Sequence, residues 1–335
     1  MTFDGTTLTY TSDGNPLSDI LIQLQAFDDV LVEGNEDYQI EISNPASTTG
    51  GEIQTTTATT VTTEIVDNDG AVWSLAGDTV VSESGTASYT LTLAGVLQNG
   101  ETASIDLGIS DVDTNPSDYS NFVAAVNAAI AGRPELSFDG TTLTYVSDGS
   151  PLSDIQIDLP AIDDALIEGP ESYSVSIANS GSGTGSDIGT AGTTSVTTQI
   201  SDNDQAIWSI SGDTTVGEGN DAQYTISLSG LLQAGETATI DLDLADVDTN
   251  SADYSSFVAA VNAAIAGRMD LNFDGTTLTY TGDGSPFVDL VIELPTIDDQ
   301  LSEGSEQFTV SISNPASTSG GSVSGSGQVL SLIHI

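Results

Sequence analysis

Between residues 71 and 205, apolar side chains recur at every second position in short runs: Tyr89/Leu91/Leu93, Ile105/Leu107/Ile109, Leu143/Tyr145, Ile155/Ile157/Leu159, Tyr173/Val175/Ile177 and Val196/Thr198/Ile200. A period of two buries one face of a β-strand and leaves the other wet. With Trp73/Leu75 leading, the pattern predicts about seven strands separated by Gly, Asn, Asp and Pro turns. The expected fold class is all-β, an antiparallel immunoglobulin-like Greek-key sandwich. One stretch breaks the period: Phe122, Val126 and Ile130 repeat at four residues, Val123 joins the same face, and Gly132 follows as a C-cap. A short amphipathic helix is expected over 121 to 131, its apolar stripe covering an edge or open end of the sandwich.

The same pattern returns along the chain. Phe-Asp-Gly-Thr-Thr-Leu-Thr-Tyr occurs at 3 to 10, 138 to 145 and 273 to 280, a spacing of 135 residues each time. Trp73/Trp208 and the tripeptides Asp67-Asn68-Asp69 and Asp202-Asn203-Asp204 keep that period, and the helix segment Phe-Val-Ala-Ala-Val-Asn-Ala-Ala-Ile-Ala-Gly-Arg at 122 to 133 returns unchanged at 257 to 268. This is a tandem array. Residues 71–205 form one complete copy, 1–70 the C-terminal half of another, and 206–329 a copy expected to lack its last strand. Positions 330 to 335, Leu-Ser-Leu-Ile-His-Ile, abandon the repeat and contain the single histidine. They resemble a transposase sequencing adapter read through in frame and are set apart from the fold as an expected artefact. Almost no linker separates the copies, because Asp204-Gln205 runs straight into Ala206-Ile207-Trp208, so adjacent repeats are expected to abut.

Charge narrows the partners. The chain carries a net charge of -48, two basic residues, Arg133 and Arg268, and no lysine. Nucleic acid and anionic membrane surfaces are thereby excluded as partners, and a cation is favoured. Charged residues are 16% of the chain against 38% apolar, so the acidity sits on a chain that can form cores. There is no cysteine to supply a disulfide or a thiolate site, which leaves an oxygen-ligand site for a hard cation. No apolar run is long enough to span a bilayer as a helix, so no direct membrane insertion is expected.

The acids cluster. In the complete copy they gather as Glu83, Asp118, the group Asp163-Asp164-x3-Glu168-x2-Glu171, and Asp202 with Asp204 around Asn203. The third group recurs as Asp28, Asp29, Glu33 and Glu36, and as Asp298, Asp299, Glu303 and Glu306. Gly169 is expected to turn the chain so that these carboxylates converge. Two bare carboxylates about 4 Å apart repel by about 4 kcal/mol at an effective dielectric near 20, so eight gathered at strand ends call for cations. Calcium, with six to eight oxygen ligands and tolerant geometry, suits ligands drawn from separate loops. Two or more ions per complete repeat are expected. Scattered acids such as Asp78, Asp139, Asp148 and Asp187 are solvated turn residues. Asp111-x-Asp113-x-Asn115 opens like an EF-hand loop, but Pro116 and Phe122 stand where glycine and glutamate are needed, so it is read as a turn.

Val81-Ser82-Glu83, Ser117-Asp118-Tyr119, Leu143-Thr144-Tyr145, Asp163-Asp164-x3-Glu168-Gly169-x-Glu171 and Ile200-Ser201-Asp202-Asn203-Asp204 together resemble the Calx-beta domain. This is the family of the calcium-sensing modules of sodium/calcium exchangers and of repeats in large bacterial surface proteins. The resemblance implies an immunoglobulin-like sandwich whose distal loops bind several calcium ions, with Glu83, Asp118, Asp163, Asp164, Glu168, Glu171, Asp202 and Asp204 as side-chain ligands and Leu166 offering its carbonyl. In the partial copies the same positions are Asp28, Asp29, Glu33, Glu36, Asp67 and Asp69, and Glu218, Asp253, Asp298, Asp299, Glu303 and Glu306. The helix at 121 to 131 is an insertion relative to the family, and Asn203 stands where some members carry a third acid.

Near-identical tandem copies resemble the extender regions of giant bacterial adhesins. The expected function is a calcium-binding spacer of a large secreted or cell-surface adhesin, extracellular, with calcium ions and neighbouring repeats as its partners. A calcium-binding accessory or sensor repeat of a large extracellular enzyme or a membrane-associated transporter or motility protein is the alternative. Enzymatic activity is not expected. Asp163/Glu168 could pass for a glycosidase pair, but no histidine-activated nucleophile and no cluster of aromatic sugar platforms accompanies it.

Overall fold

Trp73 is the third residue of the strand Ala71–Gly77, whose burial pattern alternates as the sequence does, with Ala71, Trp73 and Leu75 turned inward. In this computed structural model, which describes residues 1–55, 58–298 and 304–334, that strand sits in a four-stranded sheet. The order is Ile155–Pro160, Thr86–Ala94, Ala71–Gly77 and Ile188–Thr190, the last pair parallel. The facing sheet has six strands in the order Leu136–Phe138, Thr142–Val146, Thr102–Asp111, Glu171–Gly181, Ser195–Ser201 and Val80–Ser82. Tyr89, Leu91, Ile105, Leu143, Ile155, Ile157, Tyr173 and Val175 fill the space between the sheets with no exposure to solvent. Residues 71 to 82 cross from one sheet to the other, so the sandwich is laced by its own first segment.

The helix spans Phe122–Ala129 and is capped by the Asn121 side chain, which accepts from the Ala124 N–H at 2.9 Å. It packs on Ile155–Pro160, an edge strand of the four-stranded sheet, and so shields an edge open to further pairing. Phe122 and Val126 are buried. Val123 is not on that face: it is 39% exposed, because a residue one step from Phe122 is turned by about 100°. Arg133, just past the helix, reaches the Ser153 and Asp154 carbonyls and pairs with Glu135 at 2.9 Å.

The third copy repeats both sheets and corrects one expectation. Gly327–His334 is a strand, antiparallel to Glu306–Ala316 and parallel to Thr215–Gly217. The last strand is therefore present, and residues 330 to 334 belong to it. The register explains the difference. The Ser331 hydroxyl bonds the Tyr224 hydroxyl and the Asp213 carbonyl, as Thr198 does with Tyr89 and Asp78 one copy earlier, so this strand has slipped from the 135-residue period by two. With that slip, Val329, Ser331 and Ile333 alternate inward.

Residues 1–70 show two hairpin-like pairs, Thr2–Phe3 with Leu8–Thr9 and Glu36–Glu41 with Thr60–Ile65. Among their described residues, Val32 alone is buried, at 1% exposure, and it is buried in the core of the following copy. The contact is a two-residue parallel pairing, Leu31–Val32 with Val96–Leu97. It recurs one period later between Leu166–Ile167 and Leu231–Leu232, with Ile167 2% exposed within the third copy's core.

Candidate metal centre

Strand register brings the acids together. Ser82 and Ser201 are partners in a parallel pair, so the next residues, Glu83 and Asp202, leave the sheet side by side, and the Glu83 N–H donates to the Ser201 carbonyl at 3.1 Å. Glu171 pairs with Ile200 across the antiparallel neighbour and so emerges at the same end. Tyr119 bridges Ala161, and the Ile162 N–H donates to the Asp118 carbonyl at 2.8 Å, which carries Asp118 to the loop of Asp163 and Asp164. Four segments distant in sequence thus converge on one end of the sandwich.

Glu83, Asp202 and Asp204 each place an oxygen within 4.8 Å of the others. Asp202 also shapes the loops, accepting from the Glu168 N–H at 2.8 Å and the Asp204 N–H at 2.7 Å. Asp164 caps the Leu166 N–H at 2.7 Å, and Asp163 accepts from the Asn203 amide at 2.8 Å. Asp118 accepts from the Asn115 N–H at 2.6 Å, and its charge lies close enough to Glu171 to raise that carboxyl. Leu166, expected to offer its carbonyl, lies in the short parallel strand against the next copy. The Asp111 carboxylate is braced by Tyr119 and Thr114, so the failed EF-hand stretch serves as a loop brace.

Electrostatics mark this end as strained without a cation. Burial pushes the Glu83 carboxyl up to about 7; the Asp202, Asp164 and Asp204 charges add to the rise, and a backbone hydrogen bond with Asn203 opposes it. Burial likewise raises Glu168 to about 7, helped by Asp164, Asp118 and Glu83. Glu171 is driven up by burial and then by Asp118. The buried oxygens Glu83 Oε2, Glu171 Oε2 and Asp204 Oδ2 have no hydrogen-bond partner. Orphaned buried acceptors are costly unless something neutralises them.

The first copy holds a comparable but partial set. Asp28, Asp29, Glu33, Glu36, Asp67 and Asp69 line a cleft of about 220 Å³. The Glu33 N–H bonds Asp67 at 2.7 Å, matching Glu168 and Asp202. In the third copy the Asp253 carbonyl accepts from the Ile297 N–H, and Asp298 lies against Gly219, beside Glu218. Glu306 opens the strand Glu306–Ala316, as Glu171 opens its own. Asp299 and Glu303 lie outside the described residues.

The Calx-beta domain model matches residues 7–69, 141–204 and 278–328, more than half of the chain, each time running from near the Thr-Leu-Thr-Tyr strand towards the end of a copy. The chain belongs to the Calx-beta family. Calx-beta domains are calcium-binding β-sandwich repeats. The helix at Phe122–Ala129 falls outside the matched stretches. Among solved structures, the apo-form Calx CBD1 domain is 18% identical, with 41% of this chain and 100% of that chain covered and a TM-score of 0.29. The Escherichia coli alpha-2-macroglobulin activated by porcine elastase is 8% identical over 82% of this chain and 23% of its own, with a TM-score of 0.21. No curated protein matches the chain.

The residues fit the family's cation. Two oxygens bound to Ca²⁺ at about 2.3–2.6 Å stand at most about 5 Å apart, and the oxygens of Glu83, Asp202 and Asp204, all within 4.8 Å of one another, fall inside that limit. The donor set is all oxygen, and its orphaned acceptors are what a hard cation would satisfy. Glu83, Asp202 and Asp204 would hold it, and Asp164 and Asp118 add their charge to the neighbouring Glu168.

Two residues at this end escaped the sequence reading. Gln233 donates to Glu168 at 2.5 Å, and Gln98 donates to Glu33 at 2.6 Å, each from the following copy. Their only signal is the shared 135-residue period, which a glutamine gives no reason to weigh. Gly169 also had another role. A Cβ there would stand 2.5 Å from the Ser319 carbonyl, and at Gly34 2.7 Å from that of Thr184, so these glycines admit the next copy's backbone.

Proposed function

We infer that this chain is a calcium-stiffened spacer, a run of structural repeats from a large secreted or cell-surface bacterial adhesin, without catalytic activity of its own. One observation carries the reading. The loop that carries Glu168 beside the acidic cluster is the loop that docks on the next repeat, through Leu166–Ile167 and the Gln233 amide. A cation that orders that loop also orders the junction, and the acidity of the chain keeps long arrays apart in solution. The regular repetition of one sandwich supports a mechanical role over a dedicated active site, and -48 of net charge supports a calcium-rich extracellular setting.

Titration calorimetry on the whole chain tests it. Millimolar calcium should give a saturable binding heat. A bound ion should also stabilise the fold by about 2.7 kcal/mol per site at a hundredfold excess over Kd. Combining Glu83→Gln with Asp202→Asn should remove the complete repeat's share of both, while Asp148→Asn, whose carboxylate only caps the exposed Ser150 turn, should leave them unchanged. Absence of heat, or equal losses from all three positions, would refute the reading.

A further inference from the structure

We propose that each repeat is completed by one branched aliphatic side chain from the repeat before it, and that a single acceptor position, 186 in one copy and 321 in the next, reads the size of that side chain. The surface is the end of the acceptor sandwich, and its partner is the metal-loop segment of the preceding copy. The reading does not depend on which cation the loop holds.

The donors are Val32 and Ile167, each buried within the neighbour's core and pinned by the neighbour's main chain. The Gln98 N–H donates to the Val32 carbonyl and the Gln233 N–H to the Ile167 carbonyl, both at 3.1 Å. Ile167 packs against two glycines of the third copy: a Cβ on Gly230 would lie 2.8 Å from its Cδ1, and a Cβ on Gly321 2.9 Å from its Cγ2. One period earlier the smaller donor, Val32, is matched by Ser186 at the position of Gly321. Larger donor goes with smaller acceptor in both junctions.

An orphaned atom records the exchange. In the first junction the Ser186 hydroxyl donates to Glu101 Oε2. In the second, glycine has no hydroxyl to give, and Oε2 of Glu236, the counterpart of Glu101, is buried without a partner. That oxygen lies 3.6 Å from where a Gly321 Cβ would be. The second junction has therefore lost the Ser186 hydroxyl at that carboxylate, and also that of Thr184, whose counterpart Ser319 accepts from the Thr237 N–H instead; Ile167 stands there with Cγ2 against position 321 because its extra carbon, Cδ1, fills the space against Gly230. Neighbours with the wrong pairing would clash or leave a void, so repeat order is encoded at the junctions.

Hydrogen exchange resolved by mass spectrometry, on the whole chain in saturating calcium, tests this. Gly321→Ser should speed exchange in Asp221–Ser229 and Thr237–Asp246 on the order of tenfold, by overpacking against Ile167. Thr86–Ala94, in the repeat that owns Ile167, should be unchanged. Adding Ile167→Val removes Cδ1, lets the side chain shift towards Gly230 and recreates the Val32/Ser186 pair, so protection should return to within about twofold of the starting chain. Failure of the double substitution to restore protection would overturn the proposal, as would a disturbance falling on the middle repeat.

Discussion

Glu83 concentrates the chemistry of this chain in one carboxyl. It is 7% exposed, one of its oxygens has no partner, and burial holds it near pH 7 against an ordinary value of 4.5. Glu168 is held in the same way, and Glu171 is raised as well. The folded state therefore binds more protons than the unfolded chain between these values. Stability from these groups is fully present below about 4.5 and is lost as pH rises through about 7. In chelator the thermal midpoint should fall from pH 5 to pH 8, and saturating calcium should flatten the fall, because the cation favours the ionised carboxyls. Glu83→Gln, which mimics the protonated form, should reduce the slope in chelator. A midpoint that rises over this range in chelator would contradict the assignment. The acids were legible as clusters because density and spacing are properties of sequence. Their ranking was not: Asp163 and Asp164 head the densest motif, yet they bond Asn203 and cap a turn while Glu83, Asp202 and Asp204 converge. The parallel pairing of Val80–Ser82 with Ser195–Ser201 decides that.

At the scale of elements, alternation located the strands well because one face of each is buried and the other wet. Where one or two residues feed a different core, it is silent. Val32 and Ile167 look like ordinary loop apolars, and no periodicity within a two-residue strand shows which sandwich they enter. The last strand of the third copy was lost to reading by the fixed period, since a two-residue slip left its inward residues Val329, Ser331 and Ile333 misaligned with their counterparts. The helix was found by its spacing of four, but its cap was not. Asn121 caps in one copy and Ser256 in the next. Asn121→Ala should destabilise the middle repeat by about 1 kcal/mol, whereas Asn121→Ser should change it little. Urea denaturation followed by far-ultraviolet circular dichroism would show this, and equal losses for both would mean that the cap contributes nothing.

Across the whole molecule, the repeats meet through small contacts that an acidic loop must hold in place. Each junction joins a plugged side chain, two main-chain pairs and a glutamine bonded to a metal-loop glutamate. Without a cation the carboxylates crowd the docking loop with like charge, and screening over about 8 Å at physiological salt does not reach inside the cluster. On the proposed reading the plug and the cation act together, the first setting which repeat fits and the second holding the loop that carries it. Small-angle X-ray scattering of this chain in millimolar calcium and in chelator tests that account most directly. The account predicts an extended, rod-like profile with calcium and, in chelator, a broader distance distribution from repeats that swivel. Superimposable profiles from samples whose calcium binding is independently confirmed would contradict it, leaving the cation a role within each sandwich and none between them.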